Sequence, residues 1–212
     1  MELICVRHGR TAWNALRRFQ GQTDIPLDDE GLAQAQALAA HLGAERFDLA
    51  IASDLTRART TAEAICAGRD LALETTPELR EMRFGLWEGL TWDEIVARWP
   101  ELDAGSEKAP MHYTAEGGES WDELCARVDA ALRAIAARMR PADRALIVSH
   151  AGVMHGAVRS LTRAGANGAD AVAVGMRFSP GGIIRARGSF EDGWELTAIN
   201  ETADSGASAR TG

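Results

Sequence analysis

Leu3 to Val6 and Ala145 to Val148 are apolar at consecutive positions, and each run ends abruptly in polar residues. Runs of this kind predict short strands buried on both faces. Phe47 to Ala52 and Leu71 to Thr75 read as two more strands. Between the strands the spacing of apolar positions lengthens to that of a helix. Leu32, Ala35, Leu38, Ala39 and Leu42 share one face behind Asp28, which can cap the helix, and Gly43 is placed to stop it. Ala58, Ala62 and Ile65 mark a second helix running to Gly68, with Ser53 or Asp54 as its cap. Ser120 and Glu123 have capping-box spacing ahead of Leu124, Val128, Ala131, Leu132, Ile135 and Met139, and Pro141 closes that stripe. Val153, Ala157, Val158 and Leu161 mark a fourth helix.

Strand, helix, strand, helix in this order predicts an α/β fold with a mainly parallel central sheet flanked by helices. Ala171 to Phe178, Ile183 to Arg187 and Trp194 to Ile199 read as strands that finish the sheet, with their direction open. Residues 90–119 carry Trp92, Trp99, Pro100, Gly105, Pro110 and the pair Gly117-Gly118. They read as a helical, loop-rich excursion, a candidate lid over the carboxyl edge of the sheet. One domain over residues 1–201 is expected, followed by a small, polar, flexible tail at 202–212.

Composition narrows this little. The length of 212 residues suits one core, and 46% apolar with 25% charged residues excludes a disordered or collagenous chain. A net charge of −8 argues against nucleic acid or an anionic membrane as the main partner. Cys5, Cys66 and Cys125 are odd in number and lack CxxC spacing, so neither a disulfide framework nor a zinc site is expected. With no run approaching 18 apolar residues, the chain reads as cytoplasmic.

The chemistry gathers at the strand ends, where ligands of open α/β sheets bind. Two separate strands each deliver a histidine followed within two residues by glycine: Arg7-His8-Gly9 and His150-Ala151-Gly152. Gly9 and Gly152 would let backbone amides approach an anion. Arg57, in the first turn after a third strand, adds a guanidinium able to hold two phosphate oxygens. Alone, each histidine reads as a hydrogen-bonded structural residue and each arginine as a surface charge. Their convergence on one sheet edge makes a site for a dianion.

These residues and their neighbours resemble the histidine phosphatase superfamily, in its phosphoglycerate mutase-like branch. The likeness is carried by Val6-Arg7-His8-Gly9 with Thr11 and Asn14, Gln20-Gly21 with Asp24 and Pro26-Leu27, and Ser53-Asp54-Leu55 with Arg57-Ala58. Leu79-Arg80-Glu81, Phe84-Gly85, Trp87-Glu88-Gly89, Gly117-Gly118-Glu119-Ser120 and Ser149-His150-Ala151-Gly152 continue it in order. The resemblance implies a phosphoglycerate mutase-like fold with His8 as nucleophile, forming a phosphohistidine that water then hydrolyses. It implies that Arg7, Arg57 and His150 surround the transferring phosphoryl group and that Asn14, Thr11 and Gly152 bind phosphate or substrate. Glu81 matches the position of the general acid, with Glu88 a few residues on as the fallback. No cofactor and no metal is implied.

The expected activity is a metal-independent phosphatase acting on a small phosphorylated metabolite. The alternative is a cofactor-dependent phosphoglycerate mutase, and a third reading is a non-catalytic sensor of phosphorylated ligands. Met82-Arg83-Phe84-Gly85, where glycolytic mutases have Arg-His-Tyr-Gly, favours hydrolysis. Cys5 sits inside an apolar strand and is no activated thiolate, and the five-residue spacing of His150 and His155 does not suit a helical metal pair. Arg10 stands where the family has Glu or Gln, and either receives a second negative group or faces solvent. Trp92, Trp99, Met111 and Tyr113 either line the substrate lid or pack the excursion. Specificity is expected in 90–119, and a homodimer is left open.

Overall fold

The computed structural model describes residues 1–105, 113–163 and 176–203. The strands are β1 (Glu2–Arg7), β2 (Leu49–Ser53), β3 (Leu73–Thr76), β4 (Arg144–Ser149), β5 (Ile183–Ser189) and β6 (Gly193–Glu201). They form one six-stranded sheet in the order β3-β2-β4-β1-β5-β6. The first four are parallel, while β5 and β6 are antiparallel to their neighbours. This is the expected mainly parallel α/β sheet, with the direction of the last two strands now settled.

The helices are α1 (Ala12–Ala15), α2 (Asp29–His41), α3 (Thr56–Cys66), α4 (Trp92–Arg98), α5 (Trp121–Ala136) and α6 (Ala151–Arg163). Strand alternation sorts the core into two layers. Leu3, Cys5, Ile51 and Ile147 face Leu124, Val128, Leu132, Val158 and Leu161 of α5 and α6. Ile4, Val6, Ala50, Ala52 and Val148 face Leu38 of α2 and Ala58, Ala62 and Ile65 of α3. Burial on both faces is why β1 and β4 carry no polar residue between their ends.

Asp28 caps α2 by accepting from Gly31 N–H at 2.8 Å, and Ser120 with Glu123 closes the capping box of α5. Helix α3 differs from expectation. Its N-cap is Leu55, without a side-chain bond; Asp24 instead receives the N–H of Thr56 at 2.8 Å and its hydroxyl at 2.7 Å. Ser53 and Asp54 are engaged elsewhere, Asp54 in a two-pronged pair with Arg80 at 2.6 and 2.7 Å. The strand expected over Ala171 to Phe178 falls mostly outside the described residues, and Met176 to Phe178 is irregular. Residues 204–212 of the expected tail also lie outside them.

Candidate active site

The site is built by register. Arg7 pairs with Ser149 across the parallel ladder of β1 and β4, and His8 N–H donates to the Ser149 carbonyl at 2.9 Å. The two strands therefore release their histidines at the same level. The rings of His8 and His150 stand 5.1 Å apart, centroid to centroid, nearly edge to face. His8 Nδ1 lies 2.6 Å from the carbonyl oxygen of Gly9. A carbonyl only accepts, so Nδ1 carries the proton and the lone pair of the neutral ring sits on Nε2.

Around His8 opens a cavity of about 400 Å3, with Arg7, Arg57, Glu81 and Asn14 in its wall. Arg57 is fully buried, and its guanidinium donates to the carbonyls of Thr23 at 2.9 Å and Gly21 at 2.7 Å. Arg7 donates to the Phe178 carbonyl. Among the described residues, the Nε atoms of both arginines and Nδ1 of His150 are buried without a hydrogen-bond partner. Unpaired buried N–H donors such as the two arginine Nε groups are costly, and an oxyanion in the cavity would satisfy them.

Burial and the two cations hold His8 well below the ordinary histidine value, and burial with Arg57 does the same for His150. Burial pushes the Glu81 carboxyl upward, against the opposing pull of its backbone hydrogen bonds and of Arg57 and Arg7. Three neighbouring groups are thus biased toward their neutral forms inside a frame of two fixed positive charges.

The expected residues do not all stand where the sequence suggested. His150 is fully buried beside His8 and forms no part of the cavity wall; its Nε2 lies 2.8 Å from Ser53 Oγ. Gly9 and Gly152 do not offer their amides to an anion. Gly9 donates to Thr61 Oγ1 at 3.1 Å, and a Cβ there would collide with the Gly31 carbonyl of α2. Gly152 donates to the Glu81 carboxylate at 2.9 Å, and a Cβ there would strike that same oxygen. Both are glycines because of close approach. Thr11 caps α1 and does not reach the cavity. Asn14 Oδ1 accepts from Thr11 N–H at 3.1 Å, which leaves its amide donors for the cavity.

Glu88 is no fallback acid. Its carboxylate accepts from the N–H groups of Gln22, Thr23 and Phe84 at 2.9 to 3.1 Å, which pins the loop whose carbonyls hold Arg57. Arg10 is paired with Asp28 and Glu30 at the start of α2, away from the cavity. Trp92 packs against Phe19 and Trp87, and among the described residues none of 90–119 lines the cavity; Met111 lies outside them. Beside the expected Arg7, Asn14, Arg57, Glu81 and Gly152, the wall includes residues to which the sequence assigns no site role: Arg17, Arg18, Phe19, Phe84, Trp121 and His155. Only the doubled arginine before Phe19-Gln20-Gly21 could have marked the first two.

A family model described as histidine phosphatase superfamily (branch 1) matches residues 3–202. A metal-independent phosphoserine phosphatase of Arabidopsis thaliana is 36% identical over 182 residues, covering 79% of this chain and 71% of the relative. A protein of Cronobacter sakazakii described as a probable phosphoglycerate mutase is 36% identical over 154 residues, 71% of this chain and 69% of its own length. Among solved structures, a mycobacterial glucosyl-3-phosphoglycerate phosphatase complexed with VO3 superposes with a TM-score of 0.83 at 28% identity, covering 95% of this chain and 99% of the other. The chain belongs to the histidine phosphatase superfamily and is an enzyme of the phosphomonoesterase type.

Proposed function

We propose that His8 and Glu81 hydrolyse a small phosphomonoester in two steps. In the first, the lone pair of His8 Nε2 attacks phosphorus, the ester P–O bond breaks, and the Glu81 carboxyl proton passes to the departing oxygen. In the second, the Glu81 carboxylate takes a proton from water, which attacks the phosphohistidine. The N–P bond breaks, inorganic phosphate leaves, and His8 and Glu81 return to their starting forms. Arg7 and Arg57 neutralise phosphoryl oxygens throughout, and their positions are set beforehand by backbone carbonyls. The ring of His150, edge-on to His8 and buried behind the cavity wall, backs the nucleophile and would donate from Nδ1 when that nitrogen carries its proton. Asn14 adds an amide donor at the cavity wall.

The observation that carries this reading is the tautomer of His8. Its proton is tied to the Gly9 carbonyl, and burial between two guanidiniums keeps the ring neutral at physiological pH. The nucleophilic nitrogen is free without a base to deprotonate it. The test is release of phosphate from phosphomonoesters in the presence of EDTA, by wild type and by His8→Ala. Wild type is expected to turn over undiminished, and the variant to lose at least a thousandfold. An alkaline quench during turnover of a 32P-labelled ester should trap label on His8, since the P–N bond survives base. A protein that carries no label and releases no phosphate is no phosphohistidine enzyme. Conversion of 3-phosphoglycerate to its 2-isomer with a bisphosphate primer, faster than phosphate release, would instead make it a mutase.

A further inference from the structure

Among the described residues four arginines line the cavity, and three of them are held in place. Arg7 donates to the Phe178 carbonyl, and Arg57 to the carbonyls of Gly21 and Thr23. Arg18 donates to the Gly89 carbonyl and forms a two-pronged pair with Glu94 at 2.7 and 3.2 Å. The fourth, Arg17, makes no side-chain hydrogen bond or ion pair among the described residues. It is exposed, yet contributes to the cavity wall, so it stands at the rim while His8 and Arg57 form the floor.

Its backbone makes the position more unusual. Arg17 follows the C-cap of α1 with φ at +54°, and its N–H donates to the Asn14 carbonyl at 3.1 Å. A left-handed residue just past a helix end is the place for glycine, since any Cβ is strained there. Stopping α1 needs only the backbone. It does not need a guanidinium. A strained side chain with no partner among the described residues, at the opening of an anion site, points outward to a ligand.

We infer that Arg17 is a specificity-determining residue that binds a second oxyanion on the substrate. The preferred ester would carry its phosphoryl group to the floor beside His8 and a carboxylate or second phosphate to the rim. The inference rests on the phosphatase reading above and narrows its substrate class. Because the guanidinium is exposed, the contact is screened by salt and worth about tenfold in kcat/KM, the lower end for a charge-assisted contact. It acts at a distance from the reacting phosphorus, so the gain belongs mainly in KM.

The test compares esters matched in size but not in charge: 3-phosphoglycerate, which carries a carboxylate, and glycerol 3-phosphate, which carries a hydroxymethyl group there. Fructose 1,6-bisphosphate supplies the second-phosphate case. Wild type should prefer one of the doubly anionic esters over glycerol 3-phosphate, whichever oxyanion the rim accepts. Arg17→Gly, a substitution the backbone favours, should cut that preference about tenfold through KM. In wild type the preference should also shrink as salt is raised from 0.05 to 0.5 M. Equal kcat/KM values for all three esters in wild type, with p-nitrophenyl phosphate hydrolysed, overturn the assignment while sparing the phosphatase reading. So does a preference that survives in Arg17→Gly. Absence of phosphate release from every ester, p-nitrophenyl phosphate included, fails the phosphatase reading and this inference with it.

Discussion

Glu81 is 9% exposed and bonded to two backbone N–H groups, those of Met82 and Gly152. Those bonds orient the carboxyl but do not abolish the cost of ionising it under burial, and its proton affinity rises. A buried acid of this kind matters most when the departing oxygen is a poor leaving group. Glu81→Gln should therefore lower kcat about 10^2- to 10^4-fold on an alkyl phosphate. On p-nitrophenyl phosphate, whose phenolate departs unaided, the loss of the first step should be under tenfold. Equal losses on both esters in pre-steady-state bursts would remove Glu81 from proton donation. At Arg17 the residue scale predicts the opposite of the usual mutational cost. Replacing a left-handed arginine by glycine relieves about 1 kcal/mol of strain, partly offset by glycine's greater freedom when unfolded. Arg17→Gly should melt no lower than wild type, and up to about 2 °C higher by calorimetry.

At the scale of elements, the acid-bearing segment 78–83 has no regular structure to hold it beyond a short turn at Pro77–Leu79. Helix α5 does that work from the side. Arg127 donates to the carbonyls of Glu78 and Arg80 at 2.7 and 2.9 Å, and to the Glu119 carboxylate at 2.8 and 2.9 Å. Glu119 in turn accepts from Arg83 N–H. Lysine at 127 would keep the charge and lose the fork. Arg127→Lys should lower kcat about tenfold with KM within twofold, and should shift the alkaline limb of the kcat profile, because Glu81 is then less well placed. An unchanged limb would mean that the clamp serves stability alone. None of this is legible in the sequence, where Arg127 is one polar position on an amphipathic helix. Local signals are: Asp28 and Ser120 cap the helices that follow them, and His8 and His150 read as strand-end residues because the apolar runs stop there. The cap of α3 has no local signal because Asp24 supplies it from 32 residues upstream. The need for glycine at 9 and 152 has no local signal for the same reason: their tight neighbours, Gly31 and Glu81, are distant in the chain. Fold survives such errors because it follows periodicity, while the walls of a site are assembled from loops whose partners are remote.

For the whole molecule, the site is a source of instability that the rest of the fold must outweigh. His8 and His150 are both held below the ordinary histidine value of 6.5 by burial and by the arginine charges. The unfolded chain consequently binds more protons than the folded one as pH falls past 6.5. Stability from the two neutral rings is complete above that pH and is lost as pH falls toward their folded values, by up to about 1.4 kcal/mol per pH unit for each ring. Glu81, shifted upward, has the reverse sign: its contribution is present below the ordinary carboxyl range and is lost as pH rises through its folded value. Between pH 6.5 and 5 the histidines dominate, so wild type should melt progressively lower. His8→Asn, which cannot take up a proton, should show a shallower slope in the free energy of unfolding over that window. A bound oxyanion opposes the trend, since it pairs with the unpartnered donors and favours the charged ring. Vanadate at 100 times its dissociation constant should add about 2.7 kcal/mol and raise the melting temperature several degrees. The increment should be lost in His8→Asn if the anion sits against that ring. Parallel pH slopes in wild type and His8→Asn would show that the imidazole titrates normally, and the argument for a neutral nucleophile would then fail.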